Sequence, residues 1–211
     1  ANMSKPAIGM KYSKVIFVGD SRTAGMKATL NKQVSSSVTS DVSFIAKAGQ
    51  GLSWFQSTGY TQLINEINKT KGSKPIAVVF NLGINDMANI SNYISYMSDI
   101  ASTLKSKNCK LFYMSVNPIN SVMITKAGKG ARTEAQVREF NSKIHSGLSL
   151  NYKYIDTYSV LMKKGYGTNS SYSGTDAASD DGLHYTTKTF KRIYYYCITY
   201  LNTGSIDASI Y

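Results

Sequence analysis

Five short apolar runs recur along the chain, each rich in Val, Ile, Phe or Tyr. They occupy residues 15–18, 42–46, 76–80, 110–116 and 152–155. Runs of this length and composition are typical of strands that are buried on both faces, as in a parallel sheet. The run at 76–80, Ile-Ala-Val-Val-Phe, is the most apolar of the five. We therefore predict that it forms the central strand.

Helical periodicity fills the stretches between these runs, and the predicted helices cover residues 22–31, 60–71, 92–107, 133–150 and 187–201. Thr133 and Gln136 resemble a capping box at the start of the fourth helix. The alternation of strands and helices predicts an α/β fold, a three-layer α/β/α sandwich around a five-stranded parallel sheet in the flavodoxin-like order 2-1-3-4-5. Because no repeat or linker interrupts the chain, we expect a single domain over residues 1–211, with its core at about 14–203.

Charge narrows the choice of partners. With 24 Lys and Arg against 12 Asp and Glu, the formal net charge is +12, which attracts polyanions. The lysines are scattered in ones and twos and no nucleic-acid motif is present, so we expect no specific nucleic-acid partner and interpret the charge as a solvated surface suited to an anionic environment.

The chain has no run of 18 apolar residues, and its first residues lack the apolar core of a signal peptide. We expect no transmembrane segment. A secreted or cell-surface protein whose targeting segment has been removed fits this composition, with a cytoplasmic location left open.

The chain has two cysteines, Cys109 and Cys197, and two histidines, His145 and His184. Cys109 precedes a predicted strand and Cys197 lies on the apolar face of the last predicted helix, so we expect two buried free thiols rather than a disulfide. No Cys/His cluster has the spacing of metal ligands, and we predict neither a metal nor another cofactor. His145 falls on a predicted helix, away from any strand end, and is interpreted as a structural histidine.

A serine follows the first strand at the point where a helix begins. Ser21 would lie past the carboxyl end of a central strand, where open α/β sheets bind ligands, and at a helix N-terminus, where free N–H groups favour negative charge. By itself, the segment 19–21 is typical of an ordinary capped turn. Asp181 and His184 lie three positions apart near the end of the chain. With Ser21 they supply the residue types of a catalytic triad, in which a histidine activates a serine nucleophile and a carboxylate orients the histidine.

Four motifs, in order, resemble those of the GDSL/SGNH hydrolase superfamily of serine esterases and acyl hydrolases. They are Gly-Asp-Ser-Arg at 19–22, Ala-Gly-Gln-Gly at 48–51, Gly-Ile-Asn-Asp at 83–86 and Asp-Gly-Leu-His at 181–184. The resemblance implies acyl transfer through a covalent intermediate on Ser21, with His184 as general base and Asp181 orienting the imidazole. One departure is Arg22, where the family name has leucine. This cation beside the site is a candidate substrate contact.

The resemblance also implies an oxyanion hole. Its donors would be the N–H groups of Ser21 and Gly49 and the side-chain amide of Asn85, with Gly51 as the alternative to Gly49. Asp86 is expected to hold the loop. The full set of residues with expected supporting or substrate-binding roles is Asp20, Arg22, Gly51, Gly83, Asp86 and Asn117.

Two loops bear on the substrate. Residues 117–132 lack periodicity and leave the same end of the predicted sheet as Ser21, so we predict a loop that sets specificity. Residues 164–180 are polar and rich in Gly, Ser, Thr and Tyr, and no long apolar lid is present. We therefore expect hydrolysis of short acyl esters, acetyl above all, on a small molecule, a carbohydrate or a cell-wall glycan.

Three alternatives remain open. The chain could be a lipase or thioesterase of the same superfamily, a non-catalytic module that binds glycan or cell wall, or a flavodoxin-like module that uses the turn at Ser21 as an anion cradle. The sequence leaves the acyl length, the carrier and the oligomeric state undetermined.

Overall fold

A computed structural model describes residues 11–209 and contains a five-stranded sheet in which every pairing is parallel. Its strands lie in the order β2-β1-β3-β4-β5, as predicted. They are β1 (Lys14–Gly19), β2 (Val42–Ala46), β3 (Ile76–Asn81), β4 (Cys109–Met114) and β5 (Lys153–Ile155). The central position of β3 is confirmed, and all six of its residues are buried.

Helices cover both faces of the sheet, which confirms the three-layer architecture. In chain order they are α1 (Ser21–Gln33), α2 (Leu52–Trp54), α3 (Tyr60–Lys69), α4 (Ile90–Ser106), α5 (Ser121–Lys126), α6 (Glu134–Gly147), α7 (Thr157–Lys164) and α8 (Thr187–Thr203). A π-helical turn, Phe55–Gly59, joins α2 to α3. Short 3-10 turns form at Ser36–Val38 and Met87–Asn89.

Alternate residues of each strand feed two separate apolar cores. Ile16 and Val18 of β1 pack with residues of α3, α4 and α6 on one face of the sheet. Val15 and Phe17 pack with residues of α1 and α8 on the other face. The sheet therefore lies between α1, which begins at Ser21, and the helices α3, α4 and α6 on the opposite face.

The capping box predicted for α6 is confirmed. The Thr133 hydroxyl accepts from the N–H of Gln136, whose side-chain oxygen accepts from the N–H of Thr133. Asp156 caps α7 by accepting from the N–H of Ser159 at 3.1 Å. Cys109 and Cys197 are both buried free thiols, as predicted.

One of the two segments predicted as loops contains a short helix, and another short helix ends where the second segment begins. α5 lies within residues 117–132, and the end of α7 enters the segment 164–180. α5 has only six residues and begins at the Asn120 cap, which accepts from the N–H of Met123. Fewer than two turns carry too few apolar positions for a helical period to show in the sequence.

A small antiparallel pair precedes the last helix. β6 (Thr168–Asn169) pairs with β7 (His184–Tyr185), so that Asn169 lies opposite His184. This pair fixes the backbone from which His184 projects. None of the helices between residues 11 and 209 is long and apolar enough to cross a membrane.

The aromatic cluster on β3 predicts a large stability difference between two Phe-to-Ala variants. Phe80 is fully buried, and its ring lies 5.5 Å from that of Phe55 and 5.9 Å from that of Tyr152. Phe80→Ala should lower the free energy of unfolding by about 3–5 kcal/mol, the range for truncating a buried aromatic ring. Phe44, on the edge strand β2, is half-buried. Phe44→Ala should cost less than half as much in urea titrations, and equal losses would contradict this account.

Candidate active site

The loops that follow the carboxyl ends of β1 and β3 meet the segment before α8 at one end of the sheet. Ser21 is the first residue of α1, two positions after β1 ends, and His184 is the first residue of β7. Parallel strands bring their carboxyl ends to one edge, and ligands of open α/β sheets bind there.

Ser21, His184 and Asp181 form a hydrogen-bonded chain. His184 Nε2 lies 2.9 Å from Ser21 Oγ, and His184 Nδ1 lies 2.6 Å from Asp181 Oδ2. The three residues are only 5%, 6% and 2% exposed. Because an ionised carboxylate can only accept, we assign the imidazole proton to Nδ1, which leaves Nε2 free to accept from the serine hydroxyl.

Asp181 is fixed within its own turn. Its Oδ1 accepts from the N–H groups of Leu183 at 2.8 Å and His184 at 2.9 Å, while Oδ2 contacts the imidazole. Burial raises the pKa of Asp181, but these hydrogen bonds outweigh burial and leave the pKa below its ordinary value. The carboxylate is thus held ionised and oriented toward the ring.

The imidazole of His184 is held neutral. Burial lowers the pKa of His184, Asp181 raises it in part, and the positive charges of Arg22 and Lys129 lower it further. The net pKa is below the ordinary value for histidine. A neutral ring with a free Nε2 lone pair is the form that can take a proton from a hydroxyl.

Asp20 caps the helix that carries Ser21. Its Oδ1 accepts from the N–H of Arg22 at 2.9 Å, and the side chain is 1% exposed. Burial raises the pKa of Asp20 to about 6, with Arg22 opposing that effect. The cap sets the direction from which Ser21 enters the site.

The structure places Arg22 in the interior. Its guanidinium donates to the carbonyl oxygens of Leu183 at 2.8 Å, Asn117 at 2.7 Å and Pro118 at 3.1 Å. It also lies 4.7 Å from the centre of the Tyr185 ring. With 5% exposure, Arg22 has almost no surface for a substrate, and it braces the loop after β4 against the segment that carries His184.

Asn117 takes part in the same brace through its backbone. Its side-chain oxygen accepts from the Thr157 hydroxyl at 2.5 Å and from the Ser115 hydroxyl at 3.3 Å. These hydrogen bonds join the end of β4 to the start of α7, and the side chain is only 2% exposed. Its observed contacts are structural ones.

The turn after β3 is bound to the glycine turn after β2. Asn85 Nδ2 donates to the Gln50 carbonyl at 2.9 Å, and Asp86 Oδ2 accepts from the N–H of Leu52 at 2.9 Å. Asp86 Oδ1 also accepts from the Tyr93 hydroxyl at 2.5 Å. Asp86 therefore holds the loop after β3 through these contacts, the role expected for it from the sequence. The two motifs meet in space although they lie more than 30 residues apart.

Glycine is required at two of these turn positions because of close approach. A Cβ at Gly51 would overlap the Asp86 carboxylate, and a Cβ at Gly83 would overlap the Phe140 ring. Gly83 also has φ +133°, a conformation that other residues rarely adopt. Gly49 differs, since it has φ +75° and open space where a side chain would be. Gly49 is exposed, whereas Gly51 is partly buried.

Sequence reasoning did not single out Arg132. Its Nε donates to the Ile84 carbonyl at 2.9 Å, and its Nη2 lies 3.3 Å from Asn85 Oδ1. Nη1 donates to the carbonyls of Lys129 at 2.7 Å and Gly130 at 3.1 Å. Arg132 thus joins the Asn85 turn to the loop that carries Lys129. No local pattern could reveal a contact between residues 47 positions apart.

Sequence reasoning also missed Tyr172. Its ring stacks on the His184 imidazole, with centroids 4.6 Å apart and an interplanar angle of 28°. The Tyr-rich composition of the segment 164–180 was the available signal, but composition does not say which tyrosine reaches the site. His145 lies elsewhere, exposed on α6 with its ring stacked 4.3 Å from that of Tyr154.

Comparison with known proteins gives the family of the chain. The family model for GDSL-like lipases and acylhydrolases matches residues 15–196, which is most of the chain. The chain belongs to that family. It is therefore a GDSL/SGNH-type serine ester hydrolase. A search among curated protein sequences found no match.

Solved structures share the fold at low sequence identity. An acetyl xylan esterase is 14% identical with a TM-score of 0.59, and the match covers 90% of this chain and 99% of that one. The psychrotrophic esterase EstA from a Pseudoalteromonas species is 14% identical, with a TM-score of 0.52 and coverage of 90% and 100%. A G-D-S-L family lipolytic protein from Veillonella parvula is 17% identical, with a TM-score of 0.54 and coverage of 90% and 97%.

The environment of Arg22 predicts that Arg22→Leu, which restores the family signature, lowers stability. Three buried carbonyls would lose their donor, at about 1–3 kcal/mol each, so we expect a loss of at least about 3 kcal/mol in urea unfolding. The exposed Arg138 is the matched control, and Arg138→Leu should change stability little. Unchanged stability with an altered substrate preference would instead make Arg22 a substrate contact.

Proposed function

We propose that this GDSL-family hydrolase cleaves short acyl esters, above all acetyl esters, by a Ser-His-Asp triad and a covalent acyl-enzyme. The observation that carries the proposal is the buried hydrogen-bonded chain from Ser21 through His184 to Asp181. A turn that only cradled an anion at Ser21 would need neither a neutral imidazole nor a carboxylate behind it.

In the acylation step, Ser21 Oγ attacks the ester carbon while its proton moves to His184 Nε2. The carbonyl π-bond breaks and its electrons form the oxyanion of a tetrahedral intermediate. Asp181 stabilises the imidazolium that results. When the intermediate collapses, the bond to the alcohol oxygen breaks, and that oxygen takes the proton from Nε2. Water then repeats the sequence on the acyl-enzyme, which releases the acid and restores the Ser21 hydroxyl.

Three N–H groups are candidates to bind the oxyanion. The N–H of Ser21 is in the first turn of α1, where no intrahelical acceptor is available. The N–H of Gly49 is on the accessible part of the glycine turn. Asn85 uses one amide hydrogen on the Gln50 carbonyl, which leaves the second for substrate. Loss of one such donor typically reduces turnover by about a hundred- to a thousandfold.

The Arg132 contact supports this role for Asn85. A guanidinium 3.3 Å from Oδ1 favours the amide orientation in which Nδ2 points away from Arg132. The cation also withdraws electron density from the amide and places positive charge near the developing oxyanion. Arg132 would then be a positioning residue that acts through Asn85.

A polar carrier is the favoured alcohol portion of the ester. The segment 164–180 is polar, and the site has no long apolar lid. One structure of the same fold is described as an acetyl xylan esterase, which agrees with an acetylated carbohydrate or cell-wall glycan as substrate. The +12 charge suits work in an anionic environment, and we propose a secreted or cell-surface location.

Ser21→Ala should abolish ester hydrolysis without unfolding the protein. We expect turnover of p-nitrophenyl acetate to fall by about 10⁴-fold or more, since without the serine only the oxyanion donors and substrate binding still assist hydrolysis. Within a series of acyl lengths, wild-type kcat/KM should peak at acetate. A peak at long chains would favour a lipase or thioesterase.

His184→Ala and His145→Ala are the matched pair for the same assay. The first should match the loss seen with Ser21→Ala, and the second should leave turnover nearly unchanged, because His145 only stacks on Tyr154 at the surface. Wild-type protein that hydrolyses no ester of the series would contradict the proposed activity and favour the non-catalytic glycan-binding module.

The charge of Lys129 predicts a shift in the pH profile. Because this cation lowers the pKa of His184, Lys129→Ala should raise that pKa and move the acid limb of the kcat/KM profile to higher pH. The sign follows because removal of a nearby positive charge stabilises the imidazolium. Lys126→Ala removes the same charge from an exposed position three residues away and should shift the limb less. An acid limb that does not move would exclude Lys129 as a tuning group.

A further inference from the structure

Tyr172 is a large aromatic side chain that covers the catalytic histidine and still faces solvent. Its ring lies 4.6 Å from the His184 ring, nearly parallel to it, and 42% of the residue is exposed. Tyr172 therefore offers solvent-exposed surface on a side chain that contacts the imidazole of the proposed general base.

The loop that presents Tyr172 is held firmly against α1. A Cβ at Gly25 would lie 3.0 Å from Tyr172 Cβ, so glycine allows the loop to approach the helix. Gly174, with φ +91°, comes close to the Ala28 carbonyl, and Gln33 Nε2 donates to the Gly174 carbonyl at 3.0 Å. The helix that carries Ser21 therefore also carries the docking surface for this loop.

A side-chain amide closes the same loop on itself. Asn169 Oδ1 accepts from the N–H groups of Ser171 and Ala177, both at 3.0 Å, and its Nδ2 donates to the Ala177 carbonyl at 2.9 Å. Asn169 is 7% exposed and pairs with His184 across the β6–β7 ladder. Tyr172 is thus presented in a preorganised position, which lowers the entropic cost of binding against it.

The direction of proton transfer identifies what lies next to Tyr172. His184 Nε2 gives its proton to the alcohol oxygen as that oxygen leaves, so the alcohol portion of the ester must lie against the imidazole. The carbonyl oxygen points instead toward the donors near Asn85. A ring stacked on His184 therefore borders the alcohol portion rather than the acyl portion.

We propose that the exposed part of the Tyr172 ring, where it extends past the imidazole, forms with His184 a subsite for a ring in the alcohol portion of the ester, and that a pyranose ring is the class it selects. This inference rests on the proposed esterase function. The apolar C–H face of a sugar ring would cover the aromatic face and remove both from water, while the Tyr172 hydroxyl offers a hydrogen-bond donor and acceptor to the sugar hydroxyls. An acyclic alcohol has no flat face to cover the ring.

The experiment compares two acetyl esters of polyhydroxylated alcohols, one with a ring and one without. One is a mono-acetylated methyl xyloside, which has a pyranose ring, and the other is glycerol monoacetate, which is acyclic. For Tyr172→Ala we expect kcat/KM on the xyloside to fall by about three- to tenfold, the range of one aromatic contact, with little change on glycerol monoacetate. Tyr172→Phe should keep most of the preference, because it retains the aromatic face.

Hydrolysis of the acetyl-enzyme separates this subsite from a role in positioning His184. The acetyl-enzyme contains no alcohol, so its breakdown, followed in a single turnover with p-nitrophenyl acetate at the pH plateau, should be the same in wild type and Tyr172→Ala. If Tyr172 only positioned the imidazole, acylation by both esters and acetyl-enzyme breakdown would all fall together. That result would overturn the subsite.

Two further controls complete the test. Leu150 is 89% exposed and lies at the amino end of β5, the opposite end of the sheet from the site. Leu150→Ala is therefore the matched truncation. It should change neither the xyloside-to-glycerol ratio of kcat/KM nor the rate of acetyl-enzyme breakdown. Equal unfolding midpoints would show that Tyr172→Ala is folded, and Tyr172→Leu replaces it if it is not. An unchanged xyloside-to-glycerol ratio overturns the inference. Wild-type protein inactive on both esters would instead refute the proposed function, and the subsite with it.

Discussion

One buried cation connects the two halves of the candidate active site. Arg22 follows Ser21, the proposed nucleophile, directly in sequence, and the carbonyl that accepts from its Nε belongs to Leu183, directly before His184. The bond between these neighbours fixes the separation of the serine and the imidazole, which belong to segments 163 positions apart. Because the guanidinium donates in three directions at once, the loop after β4 is held in the same arrangement.

Burial of charged side chains in this site costs hydration free energy. Asp20, Arg22 and Asp181 are each at most 5% exposed, so their charged forms lose hydration. Each is compensated by backbone groups: an N–H for Asp20, three carbonyls for Arg22 and two N–H groups for Asp181. The raised pKa of Asp20 shows that its compensation is incomplete. Backbone hydrogen bonds of this kind hold Asp20, Arg22 and Asp181 in place without direct Arg–Asp contacts among the three.

A second, separate set of contacts assembles the proposed oxyanion side. Asp86 and Asn85 bind the glycine turn, and Arg132 holds the amide of Asn85 from the opposite side. Tyr172 occupies the remaining side, above the imidazole. The site therefore lies on the ends of the strands and is bordered by three different loops. Loops of this kind can change in sequence without a change in the sheet.

The sequence by itself determined the sheet order, the central strand, the α6 capping box and the four motifs, because each depends on local periodicity or on adjacent residue types. It revealed neither α5 nor α7, since short helices repeat too few apolar positions. It also could not show that Arg22 turns inward, that Arg132 reaches Asn85, or which tyrosine covers His184. Those contacts join residues 161, 47 and 12 positions apart. Only the packed chain brings such residues together, because side-chain direction depends on which carbonyls and rings surround each residue after folding.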